Sequence, residues 1–145
     1  MKCKLSTALG NIDFFKKIND SYGHDIGDFI LKECVRLLNE VFNREDEMVA
    51  RIGGEEFAVV LPNQSIEHAV QRADEALNRI RNEVFSQGEI KELRFTASMG
   101  IAQLLENEEP SEWLKRSDLA LYQSKNTGRN KYTLAPAGLK ATKVA

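Results

Sequence analysis

The chain has little cysteine, little histidine and no long apolar run, and each shortage removes a class of protein. Its 145 residues include two cysteines, Cys3 and Cys34, far apart and outside any CxxC spacing, so neither a disulfide framework nor a cysteine-based metal site is expected. Cys34 falls on the apolar stripe of a helical pattern, where a buried, reduced thiol is expected. The two histidines, His24 and His68, show no metal-ligand spacing. His68 reads as a surface residue on a helix, whereas His24 serves either a turn or a site. No window approaches the roughly 20 apolar residues of a membrane span, and the start lacks the charged-then-apolar order of a secretory signal. A soluble, cytoplasmic chain without a membrane segment is therefore expected. There is no GxxxxGK[ST] run, which argues against a Walker-type NTPase. An excess of one charge is missing as well: 20 basic against 22 acidic residues give a formal net charge of -2. That is too little positive charge for a broad nucleic-acid footprint. No nucleic-acid partner is expected, and an anion must be held locally.

What is present is an alternation of strand and helix periods in a length that suits one domain. CKLSTALGNID keeps Cys3, Leu5, Thr7, Leu9 and Asn11 on one parity and reads as a first strand. FFKKINDSYGHDIGD, dense in Gly, Asn and Asp, reads as a loop with at most one helical turn, leading into a helix marked by Ile30, Cys34, Leu37, Leu38 and Val41. EMVARI and EEFAVVLP flank Gly53-Gly54, a dipeptide that permits a tight hairpin. Ser65 is placed to cap a second helix whose inner face is Ala69, Ala73, Ala76, Leu77, Ile80 and Val84. RFTASMGIAQ is a strand in which Gly100 marks a bulge or a close backbone approach. A last helix follows Pro110 through Trp113, Ala120 and Leu121, Gly128 ends it, and KYTL adds a short strand. No repeat or interior linker is visible. Residues 1–134 are expected to form one domain and residues 135–145 a flexible tail, with the helices packed on a mixed sheet.

The chemistry sits at strand ends. Adjacent glutamates are usually a solvated pair, because like charges destabilise each other in a dry site. Here Glu55 and Glu56 are pinned at a hairpin, and the first strand ends in Asn11-Ile12-Asp13, a second set of oxygen donors. Converging strand ends of this kind suit Mg²⁺, which takes one or two protein carboxylates and completes its shell with water and phosphates. Asn19 and Asp28 flank YGHDIG. An amide and a carboxylate can pair with the Watson–Crick edge of guanine, although Asp25 or Asp28 would equally cap the following helix. Lys16, Lys125 and Arg129 are candidates for phosphate neutralisation. The last two, four residues apart near a helix C-terminus, would also complement the helix dipole.

Four blocks in order, IDFFKKINDSYGHDIGD, RIGGEEF, FTASMGIA and LALYQSKNTGRNKY, resemble the GGDEF family of diguanylate cyclases. The resemblance implies an α/β (α+β) fold, with a central, mostly antiparallel five-stranded sheet surrounded by helices. Such a fold is similar to class III nucleotide cyclases and the polymerase palm, with a ferredoxin-like core. It implies a nucleotidyltransferase in which two protomers meet head to head, each with GTP and Mg²⁺ or Mn²⁺. Each 3′-hydroxyl then attacks the other GTP's α-phosphate, giving cyclic di-GMP and pyrophosphate. Carried onto this chain, Glu55 and the Ile12 carbonyl would be metal ligands and Glu56 the assisting carboxylate. Gly53 and Gly54 would let the backbone approach the triphosphate. The backbone of Phe14 and Phe15 and the side chain of Lys16 would hold phosphates, with Lys125 and Arg129 opposite them. Asn19 and Asp28 would read guanine, with His24 in the same segment.

Three departures from the family pattern follow. Asn11 stands where the family has its first metal-binding aspartate, so metal affinity and charge stabilisation should fall. The second reading is accordingly a degenerate domain that binds GTP or cyclic di-GMP without turnover. The family's product-inhibition motif RxxD appears as Arg44-Glu45-Asp46-Glu47, so feedback binding through Arg44, Glu47 and Arg51 stands beside a simple surface ion pair. The family's opening helix and regulatory domain are not in this stretch, so an N-terminal regulatory partner is expected.

Overall fold

The computed structural model describes residues 4–137; Cys3 and residues 138–145 of the expected tail lie outside them. The sheet forms around β1 (Leu5–Ile12), whose residues after Leu5 are all buried. Antiparallel β3 (Glu56–Pro62) lies on one side of it and antiparallel β6 (Ala97–Gln103) on the other. β2 (Met48–Gly53) extends the sheet beyond β3, and β7 (Tyr132–Leu134) pairs in parallel beyond β6, giving the order β2-β3-β1-β6-β7. The expected five-stranded, mostly antiparallel sheet is therefore present.

Side chains that alternate along the strands separate two cores. On one face α2 (His24–Val41) and α3 (Ile66–Asn82) cover Ala8, Ile12, Val59, Leu61, Met99 and Ile101. On the other, α4 (Pro110–Asn126) packs Trp113 and Ala120 with Ala102 and Ala135. Gly100 permits this second packing: a Cβ there would lie 2.1 Å from the Ser117 carbonyl oxygen and 2.2 Å from the Leu121 nitrogen. The close approach expected of Gly100 is real.

The Ser65 hydroxyl accepts the His68 N–H at 3.1 Å and starts α3 as expected. Of the inner face read for that helix, all but Val84 are buried; Val84 lies past the helix end and is exposed. The loop expected across residues 14–28 is instead two helices, α1 (Phe15–Tyr22) and the start of α2. Gly23, at φ 93°, turns the chain between them, and Gly27 lets α1 and α2 touch, since a Cβ there would meet the Asn19 side chain at 1.8 Å. The glycines thus serve helix packing rather than irregular chain. A small hairpin, β4 (Phe85–Gln87) and β5 (Ile90–Leu93), was not foreseen. Order also continues past Leu134: Ala135 is buried and its N–H donates to the Ile101 carbonyl at 2.7 Å.

Candidate active site

The register places the metal candidates at one end of the sheet. Asn11 faces Glu56 across the β1–β3 pair, and Glu56 is paired in turn with Gly53 of β2. The Ile12 N–H donates to the Glu55 carbonyl at 3.1 Å. Asn11 and Ile12 are buried, Glu55 is half-buried and Glu56 is exposed. Gly54, at φ 26°, makes the turn, and a Cβ on either hairpin glycine would meet nothing within 4 Å, so the space above the turn is open. Arg51 buttresses it, its Nε donating to the Gly54 carbonyl at 2.9 Å.

The chain then leaves β1 through Phe14, which takes a left-handed conformation (φ 55°) as the N-cap of α1 without a side-chain cap bond. The first-turn N–H groups of α1 therefore have no capping side chain, an arrangement suited to an anion. Phe15 packs against the core and Lys16 is exposed. One turn on, Asn19 lies against Gly27 and its Oδ1 is buried without a hydrogen-bond partner. A buried amide oxygen left unsatisfied is costly. His24 and Asp28, one helical turn apart on α2, are both exposed.

Arg129 approaches from the other side. It follows α4 in a left-handed conformation (φ 64°), and its guanidinium lies 4.8 Å from the centroid of the exposed Phe14 ring. Lys125 occupies the last turn of α4, half-buried. Two sets are thus paired directly, Asn11 and Ile12 with Glu56 and Glu55, and Phe14 with Arg129, while the α1–α2 contact sets Asn19 against Gly27, the residue before Asp28.

Asp13 belongs to the site in a way that sequence reasoning missed. Read with Asn11 and Ile12 as an oxygen donor at the strand end, it is instead buried and consumed internally. Its carboxylate accepts hydrogen bonds from the Thr96 and Ser98 hydroxyls, each at 2.7 Å, and from the Asn130 N–H at 2.9 Å. The candidate oxygen donors left at this end are then the Glu55 and Glu56 carboxylates, the Ile12 carbonyl and the Asn11 amide oxygen. These are hard oxygen donors, and two carboxylates match what Mg²⁺ or Mn²⁺ takes beside substrate phosphates.

Of the residues read as a product site, Arg51 sits at this hairpin, whereas Arg44 and Glu47 precede β2. The Glu47 side chain is fully buried and ion-paired with Arg72, whose Nη2 donates to Glu47 Oε1 at 2.8 Å and to the Val41 carbonyl at 2.6 Å. Gln64 donates to the same carboxylate at 2.7 Å, and the Arg44 N–H at 3.1 Å. Arg72 and Gln64 lie 25 and 17 residues from Glu47 in the chain, and nothing local in the sequence announced them.

Residues 2–131 match the family described as "Diguanylate cyclase, GGDEF domain". The response regulator PleD of Caulobacter vibrioides is 40% identical over 129 residues, covering 87% of this chain and 28% of that protein. Diguanylate cyclase A of Treponema denticola is 38% identical over 139 residues, covering 93% of this chain and 36% of that protein. The chain thus spans only 28% and 36% of these relatives' length. Among solved structures, the GGDEF domain of DgcB from Caulobacter crescentus in complex with c-di-GMP superposes with a TM-score of 0.87 at 30% identity, covering 92% of this chain and 78% of that one. The active GGEEF domain of a diguanylate cyclase from Vibrio cholerae gives 0.83 at 32% identity, covering 92% and 83%.

Proposed function

The chain belongs to the GGDEF domain family of diguanylate cyclases, and from that premise we propose that it condenses two GTP into cyclic di-GMP and two pyrophosphates. The observation that carries the proposal is the pairing of Asn11 and Ile12 with Glu56 and Glu55, beside the uncapped first turn of α1.

In this reading Asn19 and Asp28 hold guanine. The N–H groups after Phe14 and the Lys16 ammonium hold the phosphates, and Gly53 and Gly54 leave room for them. Lys125 and Arg129 face the same phosphates and stabilise the charge that grows on the departing pyrophosphate. Glu55, Glu56, the Ile12 carbonyl and Asn11 would hold Mg²⁺ or Mn²⁺, which when bound supplies polarisation of the α-phosphate and a lower pKa for the attacking hydroxyl. A second protomer, head to head with the first, presents its own GTP so that each 3′-hydroxyl faces the other's α-phosphate; the protein's part is orientation. Cytoplasmic action and an N-terminal regulatory domain complete the proposal. No helix among the described residues is long and apolar enough to cross a membrane. Feedback by the product would use Arg44, Glu47 and Arg51. Since Glu47 is held by Arg72 and Gln64, Arg44 and Arg51 would provide most of its contacts.

A second reading, binding of GTP or cyclic di-GMP without turnover, is favoured by Asn11, a buried amide in place of a carboxylate. Incubation of concentrated protein with GTP and Mg²⁺ or Mn²⁺, with chromatography of the products and parallel calorimetry of GTP binding, separates the two. Cyclic di-GMP is the expected product. Binding without product supports the second reading, and absence of both overturns each.

A further inference from the structure

Asp13 is 3% exposed and sits between the residues read as metal ligands and those read as phosphate holders. Its Oδ1 accepts from Ser98 Oγ, and its Oδ2 from Thr96 Oγ1 and the Asn130 N–H. Ser98 Oγ supports the same amide at 3.2 Å, and the Asp13 N–H donates to the Thr96 carbonyl at 2.9 Å. The carboxylate therefore joins three parts of the fold: the end of β1, the start of β6 and the turn after α4.

That turn is unusual. Arg129 and Asn130 are consecutive non-glycine residues in the left-handed region, with φ 64° and 54°. L-residues adopt this conformation at a cost and keep it where their surroundings over-determine it. One anchor is the Arg129 N–H, which donates to the Ser124 carbonyl at 2.9 Å. The second is the charge-assisted bond from the Asn130 N–H to Asp13. The neighbours of these two residues also meet, because Phe14, next to Asp13, carries the Arg129 guanidinium over its ring. Adjacent residues on β1's exit thus grip adjacent residues of the turn at two points.

We propose that Asp13 is a positioning residue for the triphosphate, acting through Arg129: its carboxylate holds the left-handed turn against the end of β1 and so aims the guanidinium at the phosphate cradle. The inference rests on the GTP reading above for its ligand. The role of Asp13 runs through the protein, since both oxygens of this 3% exposed residue accept hydrogen bonds from Thr96, Ser98 and the turn.

Calorimetry with three probes tests it: GTP, inorganic tripolyphosphate, which reports the phosphate subsite alone, and guanosine, which reports the base subsite alone. Asp13→Ala should weaken GTP and tripolyphosphate about tenfold and leave guanosine unchanged, as loss of a charge-assisted contact to the anion implies. The double variant with Arg129→Ala should bind tripolyphosphate no more weakly than Arg129→Ala alone, because the two residues act in series. Asp13→Asn, which keeps an acceptor for the Asn130 N–H, should stay within about twofold of the parent protein. If Asp13→Ala does not fold, Ser98→Ala removes one of the three bonds and should weaken tripolyphosphate about two- to threefold, an effect that vanishes in the Arg129→Ala background. A folded Asp13→Ala or Ser98→Ala with unchanged tripolyphosphate affinity, or losses that add fully to those of Arg129→Ala, would overturn the proposal. Parent protein that binds tripolyphosphate but neither GTP nor guanosine would overturn the GTP reading while leaving the Asp13 result to stand on the tripolyphosphate series. Parent protein that binds none of the three overturns both.

Discussion

In the proposed site, Asn11 decides how many negative charges would meet the metal. A carboxylate in its place would face Glu56 across the sheet at a buried position, a like-charge arrangement that only a cation makes favourable. Asn11→Asp should therefore raise cyclic di-GMP turnover about tenfold or more with Mg²⁺ present. In metal-free buffer the same variant should melt lower than the parent chain, and Mg²⁺ should recover the difference. Initial rates and melting curves of the two proteins check both halves, and equal rates would sink this account of Asn11. The hairpin placement of Glu55 and Glu56 was legible because the glycines that announce the turn lie within four residues of them. Asp13 was not, because its partners Thr96 and Asn130 are 83 and 117 residues away. A carboxylate at a strand end reads as a ligand until its hydrogen bonds are known.

Elements were legible where one residue type has one physical use. Ser65 starts α3, Gly54 turns the hairpin, and apolar spacing marks the inner faces of α2 and α3. Residues 14–28 misled because Gly, Asn and Asp usually signal loops, whereas here Gly27 packs one helix on another. The β4–β5 hairpin has too few residues for a period to emerge. Two predictions belong to α4. Gly100→Ala puts a methyl group against the Ser117 carbonyl and the Leu121 nitrogen, backbone atoms that cannot rotate away. It should cost about 1–3 kcal/mol or more in urea unfolding. Arg116 of α4 holds the loop before the helix: its Nε donates to Glu108 Oε2 at 2.7 Å and its Nη2 to the Gln103 carbonyl at 2.5 Å, with both charged side chains almost wholly buried. Glu108→Ala leaves that guanidinium uncompensated and should cost about 3–5 kcal/mol in the same measurement.

At the scale of the molecule, one chain would hold one GTP in the proposed reaction, which needs two. The rate per protomer should therefore climb with protein concentration until dimers saturate. A dilution series of initial rates checks this, and a rate per protomer that stays flat over a wide range of concentration would contradict the head-to-head reading. The parallel strand β7 adds a consequence for how the protein is made. Glu55, Glu56 and the residues proposed to read the base all lie within the first 56 positions of the sequence, whereas Lys125 lies in the last turn of α4 and Arg129 in the crossover from α4 to β7. Synthesis runs from the N-terminus, so a chain emerging from the ribosome has its purine-reading half long before the cations that face the phosphates. On the proposed reading, the phosphate end of the site is completed only when β7 docks beside β6, so synthesis of cyclic di-GMP has to wait for the last strand.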